Sequence, residues 1–383
     1  INGSMDFPQA MKTKCLSNRA GVWHDPCSAI QIQLNLDPGE SKELIFLLGQ
    51  EESPERVRQL INTYNSTERA ELALKEVKKF WDDRLGVLKV STPDTSMDLM
   101  LNRWLIYQTY SARLMARTGF YQAGGAYGFR DQLQDVLALV YCEPKLMREQ
   151  ILLSAEHQFL EGDVQHWWHP PFRGVRTRIT DDLLFLPFVT ADYIEKTADW
   201  GILDELVAFL EDEPLQPDEH DRYSIPQVSE VKTSIYDHCI RAIERAMRLG
   251  SHGLPLMGGG DWNDGMDKVG IKGKGESVWL GWFLYTVLNS FIPICKARDD
   301  MERASRYQGA AAELLISIEK HAWDGGWYRR AFFDDGTPLG SEDNEECRID
   351  SISQSWAAIS GGGRTERVEA AMRAVKHYLI DEE

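Results

Sequence analysis

Three aspartates share one glycine-rich stretch, Gly253-Leu-Pro-Leu-Met-Gly-Gly-Gly-Asp-Trp-Asn-Asp-Gly-Met-Asp267. Asp261, Asp264 and Asp267 supply carboxylates for proton transfer or hydroxyl recognition, and the glycines let the backbone approach a ligand closely. Trp262 adds an indole beside them. Sugars suit that pairing, because their C–H faces stack on aromatic rings while their hydroxyls need acceptors. Aspartates in such a loop also serve as turn formers or caps, and a Ca²⁺ site is a further reading. The loop alone leaves these open.

A second polar stretch, Gln122-Ala-Gly-Gly-Ala-Tyr-Gly-Phe-Arg-Asp-Gln-Leu-Gln-Asp135, ends at the start of an apolar helix. There Arg130, Asp131 and Gln132 are expected to project toward a cavity, the first two acting on a ligand more than on stability. Asp131 also complements the helix dipole, so N-terminal capping is the competing reading. A third stretch, from Glu161 to Asp182, joins Trp167 and Trp168 to Arg173, Arg176 and Arg178. These arginines either receive an anion or pair internally with carboxylates, the second being the simpler expectation. His166 and His169 have neither an HExxH setting nor a cysteine partner, so no metal site is expected.

Together, Gly128-Phe-Arg-Asp-Gln-Leu-Gln-Asp135, Glu161-Gly-Asp-Val-Gln-His-Trp-Trp-His-Pro170, Asp181-Asp-Leu-Leu-Phe-Leu-Pro187 and Gly260-Asp-Trp-Asn-Asp-Gly265 resemble glycoside hydrolase family 94. The resemblance implies that Asp264 is the general acid and that Trp262, Arg130 and Asp131 line the site of the non-reducing-end sugar. Gln132, Trp168, Asp182 and Asn263, in the same motifs, complete the expected substrate-binding set. Gly124-Gly-Ala126 stands where cellobiose phosphorylases carry an arginine, and together with Arg173-Gly-Val-Arg-Thr-Arg178 this looks more like the β-1,2-glucan and cellobionic acid branch.

The implied activity is inverting phosphorolysis of a β-linked gluco-oligosaccharide to α-glucose 1-phosphate and a shortened acceptor. Phosphate is a co-substrate and no cofactor is expected. Because phosphate is itself the nucleophile, the protein need supply only one acid. Asp261 and Asp267, if near Asp264, would raise its pKa by like-charge repulsion. An inverting hydrolase, or a sugar-binding fragment without catalysis, is the alternative. The resemblance also implies phosphate-binding residues beyond Glu383 and a homodimer for the complete protein.

These loops need a scaffold. Ala29-Ile-Gln-Ile-Gln-Leu-Asn-Leu36 alternates with the period of a strand, and Lys42 to Leu48 is its expected hairpin partner across Asp37-Pro-Gly-Glu40. Residues 1–50 therefore read as part of a β-sandwich and 51–95 as a helical linker. From 96 onward the pattern is helical, including Met97 to Arg117, Ile202 to Leu210 and Glu276 to Ala297, with few strand signals. Tight connections alternate with long ones rich in Gly, Trp, Arg and Asp. The expected architecture is mainly α: an (α/α)6 toroid over 96–383, truncated at its C-terminal end, with an irregular helical bundle as the alternative.

The net charge of −18 disfavours nucleic acid and anionic membrane surfaces as partners. No run is expected to span a bilayer. Six cysteines without a CxxC pair read as reduced thiols, and hence as a cytoplasmic protein.

Overall fold

A computed structural model describes residues 4, 6–18, 21, 28–115, 125–216 and 218–380. The chain divides into two compact units, Ile1–Phe80 and Trp81–Glu383.

In the first unit, the expected hairpin has its turn, closed by Glu40 N–H on the Asp37 carbonyl. Its arms form no strand ladder among the described residues of this unit. Ile30, Ile32, Leu34 and Leu36 are all exposed along one edge of the alternation. Two strands alone cannot cover such a face, and without further strands the pairing has little to hold it. Helix α1 (Pro54–Tyr64) follows, started by Ser53 accepting from Arg56 N–H, and then α2 (Thr67–Leu85).

In the second unit the expected helix over Met97 to Arg117 is broken. Helices α3 (Thr95–Leu99) and α4 (Leu105–Gln108) alternate with wider turns at Met100–Trp104 and Thr109–Met115. The cause is Asn102, whose side chain pairs with both backbone groups of Val90 at 2.7 and 2.8 Å and is thereby held out of the helix. Residues 116 and 117 lie outside the described set.

The remaining helices are α5 (Phe129–Leu137), α6 (Pro144–Ala155), α7 (Asp182–Thr197), α8 (Ile235–Ala246), α9 (Val278–Ala297), α10 (Met301–Ser317), α11 (Ser351–Ile359) and α12 (Thr365–Leu379). They pack in two layers. Helices α5, α7, α9 and α11 pack each on the next, while α6, α8, α10 and α12 each pack against the preceding member of that series. Sequence dictates the layering: α7 and α9 are buried on most faces, whereas α10 buries only the stripe Ala304, Tyr307, Ala311 and Leu314. Contrary to expectation, α9 is long and apolar enough to cross a membrane, but two thirds of that stretch (67%) is buried inside the protein.

Strands are more numerous than expected. One sheet has the order β1 (Tyr127–Gly128), β2 (Gln165–His169), β3 (Arg173–Thr177), β5 (Asp221–Ser224). β4 (Leu206–Glu211) pairs with β6 (Gln227–Ser234), and β7 (Glu276–Ser277), β8 (Ala331–Phe332) and β9 (Pro338–Leu339) form a third sheet. β4 replaces the helix expected over Ile202 to Leu210. A short apolar run has no decisive period, and here its pairing with β6 settles the conformation. The described cysteines are free thiols; Cys27 lies outside the described set.

Candidate active site

The long loops meet beside β1 and β2. β1 runs directly into α5, so Arg130, Asp131 and Gln132 occupy its first turn. Gly128 precedes them for a steric reason: a Cβ there would fall 2.2 Å from Asp131 Oδ2. The loop after α8 is pinned across the end of β3. Gly258 has φ +62° and lies where a Cβ would meet the Arg178 carbonyl oxygen at 2.0 Å. Gly259 N–H donates to that carbonyl, and Thr180 N–H donates to the Gly260 carbonyl.

Asp261 anchors this loop. Its carboxylate is fully buried, accepts two 2.6 Å hydrogen bonds from Arg330 and one from Ser277 Oγ, and also accepts from Asn263 N–H. Its charge is thereby neutralised locally, and Asp267 is exposed. The loop then turns through Asn263, whose side chain accepts from Gly265 N–H, and presents Asp264 and a half-exposed Trp262.

Arg130 links the loops. It is buried, donates through Nη1 to Asp181 at 2.9 Å and to the Asp261 carbonyl at 3.1 Å, and through Nη2 to Asp264 Oδ1 at 2.8 Å. The second contact to Asp264 comes from His166, whose Nε2 is 3.5 Å from Oδ2. His166 Nδ1 in turn lies 2.7 Å from Asp182 Oδ2.

These contacts reverse the expected pKa of Asp264. Its partial burial favours the neutral acid, but hydrogen bonds and charge from His166 and Arg130 outweigh that and hold it at about 2. The repulsion expected from Asp261 does not prevail, because Arg330 balances that carboxylate. For Asp181, complete burial and the neighbouring Asp182 push its pKa up despite Arg130.

A cavity of about 320 Å³ opens here, within the size range of small-ligand sites. Asp264, His166, Asp131, Gln132, Trp167 and Arg113 line it. Gln132 is buried, yet among the described residues neither its Oε1 nor its Nε2 has a hydrogen-bond partner. Asp131 is partly exposed and pairs with Arg113 at 3.3 Å.

One expectation changes. Trp168 is not on the cavity: it is 1% exposed, stacked on His157 with ring centroids 3.7 Å apart, and Trp167 takes the lining position. The irregularity between Gln165 and Trp167 in β2 puts the successive residues His166 and Trp167 at the cavity. Internal pairing takes up two of the three arginines: Arg176 bonds Asp163 and Glu161, and Arg178 bonds backbone carbonyls including Glu219. Sequence reasoning passed over His166 as a site residue, as well as Asp181 and Arg113. The available signal was the need of a buried Arg130 for carboxylate partners, which the pair Asp181-Asp182 supplies.

The chain is similar to known proteins. The family model for the catalytic domain of the Glycosyl hydrolase 94 superfamily matches residues 80–383, and that for its supersandwich domain matches residues 1–67. Over its whole length the chain is 44% identical to the cyclic beta-(1,2)-glucan synthase NdvB of Rhizobium meliloti (strain 1021), of which it covers 14%. It is 29% identical over 97% of its length to the 3-O-beta-D-glucopyranosyl-beta-D-glucuronide phosphorylase of Paenibacillus borealis, covering 46% of that protein. The fold alone is similar to that of a GH78 family rhamnosidase of Bacillus sp. GL1, with a TM-score of 0.51, 15% identity, and coverage of 74% of this chain and 26% of that one. The chain thus spans half or less of the relatives it matches, and it belongs to the Glycosyl hydrolase 94 superfamily.

Proposed function

We propose that this chain carries the sugar site and general acid of an inverting phosphorylase that converts a β-1,2-linked gluco-oligosaccharide and phosphate into α-glucose 1-phosphate and a shortened acceptor. The observation that carries the reading is Asp264, held by Arg130 and His166 at the rim of a cavity where the buried Gln132 amide has no partner among the described residues. An unpartnered buried amide is costly unless a ligand hydroxyl satisfies it. Asp131 accepts from further hydroxyls, and the exposed Trp262 indole offers a stacking face. The linkage is taken from the similarity to NdvB, and the phosphorylase class from the similarity to the Paenibacillus enzyme. The two helical layers are read as an arc of an (α/α) toroid, with this cavity at its loop end.

Asp264 gives its proton to the glycosidic oxygen while a phosphate oxygen attacks the anomeric carbon from the opposite face, inverting it. Incubation of the full-length polypeptide with β-1,2-gluco-oligosaccharides, with and without phosphate, tests this by proton NMR. The expected product is α-glucose 1-phosphate, formed only with phosphate. Asp264→Asn is expected to lower kcat by about a hundredfold or more with unchanged circular dichroism. Free glucose formed equally well without phosphate would mean a hydrolase, and sugar binding without turnover a non-catalytic module.

A further inference from the structure

His166 lies between two carboxylates, with Nδ1 2.7 Å from Asp182 Oδ2 and Nε2 3.5 Å from Asp264 Oδ2. An ionised carboxylate only accepts, and a neutral imidazole has a single N–H to give. A ring facing an acceptor at each nitrogen therefore carries a second proton, or one of its neighbours does. Either way the trio holds one proton more than a neutral ring between two carboxylates.

The surroundings decide where that proton rests. Asp182 is buried, and its Oδ1 lies 3.8 Å from Arg130 and has no hydrogen-bond partner among the described residues. Arg130 is itself shared with Asp181, while Arg113 and Asp131 border the cavity on the side of α5. Burial works against a charged ring, but Asp182 and Asp264 outweigh it and lift His166 to about 10. Before a substrate binds, then, the ring is an imidazolium and Asp264 an anion.

That distribution is the reverse of what a general acid needs. At pH 7 a carboxyl at about 2 is protonated in on the order of one molecule in 100,000. A proton source beside it removes the difficulty.

We infer that His166 holds the proton that loads Asp264 when a glycoside fills the cavity, an inference that rests on the phosphorylase reading above. A bound sugar excludes water from the half-exposed Asp264 carboxylate and favours its neutral form. The His166 Nε2 proton then passes to Asp264 Oδ2. Asp264 gives it to the glycosidic oxygen as the C1–O bond breaks with its electron pair on that oxygen, and a phosphate oxygen forms the new bond to C1. His166 is left neutral, with its Nδ1–H on Asp182, and Asp264 is again a carboxylate. The attacking monohydrogen phosphate becomes a sugar phosphate that releases its own proton to water, from which the ring is recharged. His166 is thus a positioning and proton-holding residue that acts through Asp264.

The test uses the full-length polypeptide and His166→Gln, which keeps a hydrogen-bonding group but cannot hold a proton. Nitrogen-15 NMR of the histidine rings, without substrate, is expected to show His166 protonated at both nitrogens at pH 8, and a neutral ring there would overturn the inference. For a β-1,2-gluco-oligosaccharide, H166Q should lower kcat/KM by about a hundredfold or more, whereas a 2,4-dinitrophenyl β-glucoside, whose leaving group needs no proton, should lose less than about tenfold. Equal losses on both would make His166 merely structural and sink the proposal. His166→Asn serves as a second variant if H166Q does not fold. If the wild type cleaves neither glucoside with phosphate, the phosphorylase reading fails and the loading role with it. The ring's charge state, read without substrate, separates that failure from a failure of the proton-holding geometry.

Discussion

Arg330 and Asp261 form a two-pronged ion pair, both hydrogen bonds 2.6 Å long, with both side chains essentially inaccessible to solvent. The pair joins the residue preceding β8 to the loop that carries Asp264. Removing one partner leaves an uncompensated buried charge, so Arg330→Ala is expected to destabilise the protein by about 3–5 kcal/mol in urea unfolding. The double replacement Arg330→Met with Asp261→Leu should restore part of that stability, because no lone charge remains, yet leave activity low, because the loop loses its anchor.

Arg130 and Asp131 are neighbours in sequence with different expected consequences. Arg130 is buried among Asp181, Asp264 and the Asp261 carbonyl, so Arg130→Ala should cost about 3–5 kcal/mol of stability as well as activity. Asp131 is partly exposed against Arg113, and Asp131→Ala should cost under about 1 kcal/mol of stability. Its loss of transition-state binding should be about 1.5–3 kcal/mol in kcat/KM, if it accepts from a sugar hydroxyl. Gly128→Ala should mimic that variant, since the added methyl displaces the Asp131 carboxylate rather than backbone. Thermal unfolding paired with kinetics separates these outcomes.

The histidines place a stability maximum near pH 6.5, while the raised Asp181 carboxyl works against the acid limb. His166 is raised from 6.5 to about 10, so its contribution is complete below 6.5 and is lost as pH rises toward 10. Burial lowers His157 and His238 to about 4, so the native state resists their protonation and stability falls as pH drops from 6.5 toward 4. Asp264, lowered from 3.8 to about 2, adds a further loss below 4. Tm measured across this range should show both limbs, and H166Q should flatten the alkaline one and shrink the loss below 4, since His166 helps to hold Asp264 down. An unchanged alkaline limb in that variant would contradict the charge assigned to the ring.

Local pattern was enough to find the participants. The glycines, aspartates and tryptophan of the Asp264 loop, the Arg130-Asp131-Gln132 triplet at a helix start, and the span of α9 were all legible, because turn chemistry, helix starts and helical periodicity are local properties. The alternation over 29–36 was legible too, although a ladder also needs partners that local sequence cannot provide. What the tertiary structure decided was which residue does what. Asp261 reads like Asp264 in sequence, but Arg330, distant in the chain, claims it and leaves Asp264 at the cavity. Trp168 reads like Trp167, but a strand irregularity selects which indole meets the cavity, since a shift of one residue reverses the face presented. The charge of Asp264 was likewise set by His166 and Arg130 arriving from separate elements: electrostatic effects depend on distance and burial, and neither is written in the spacing of residues along the chain.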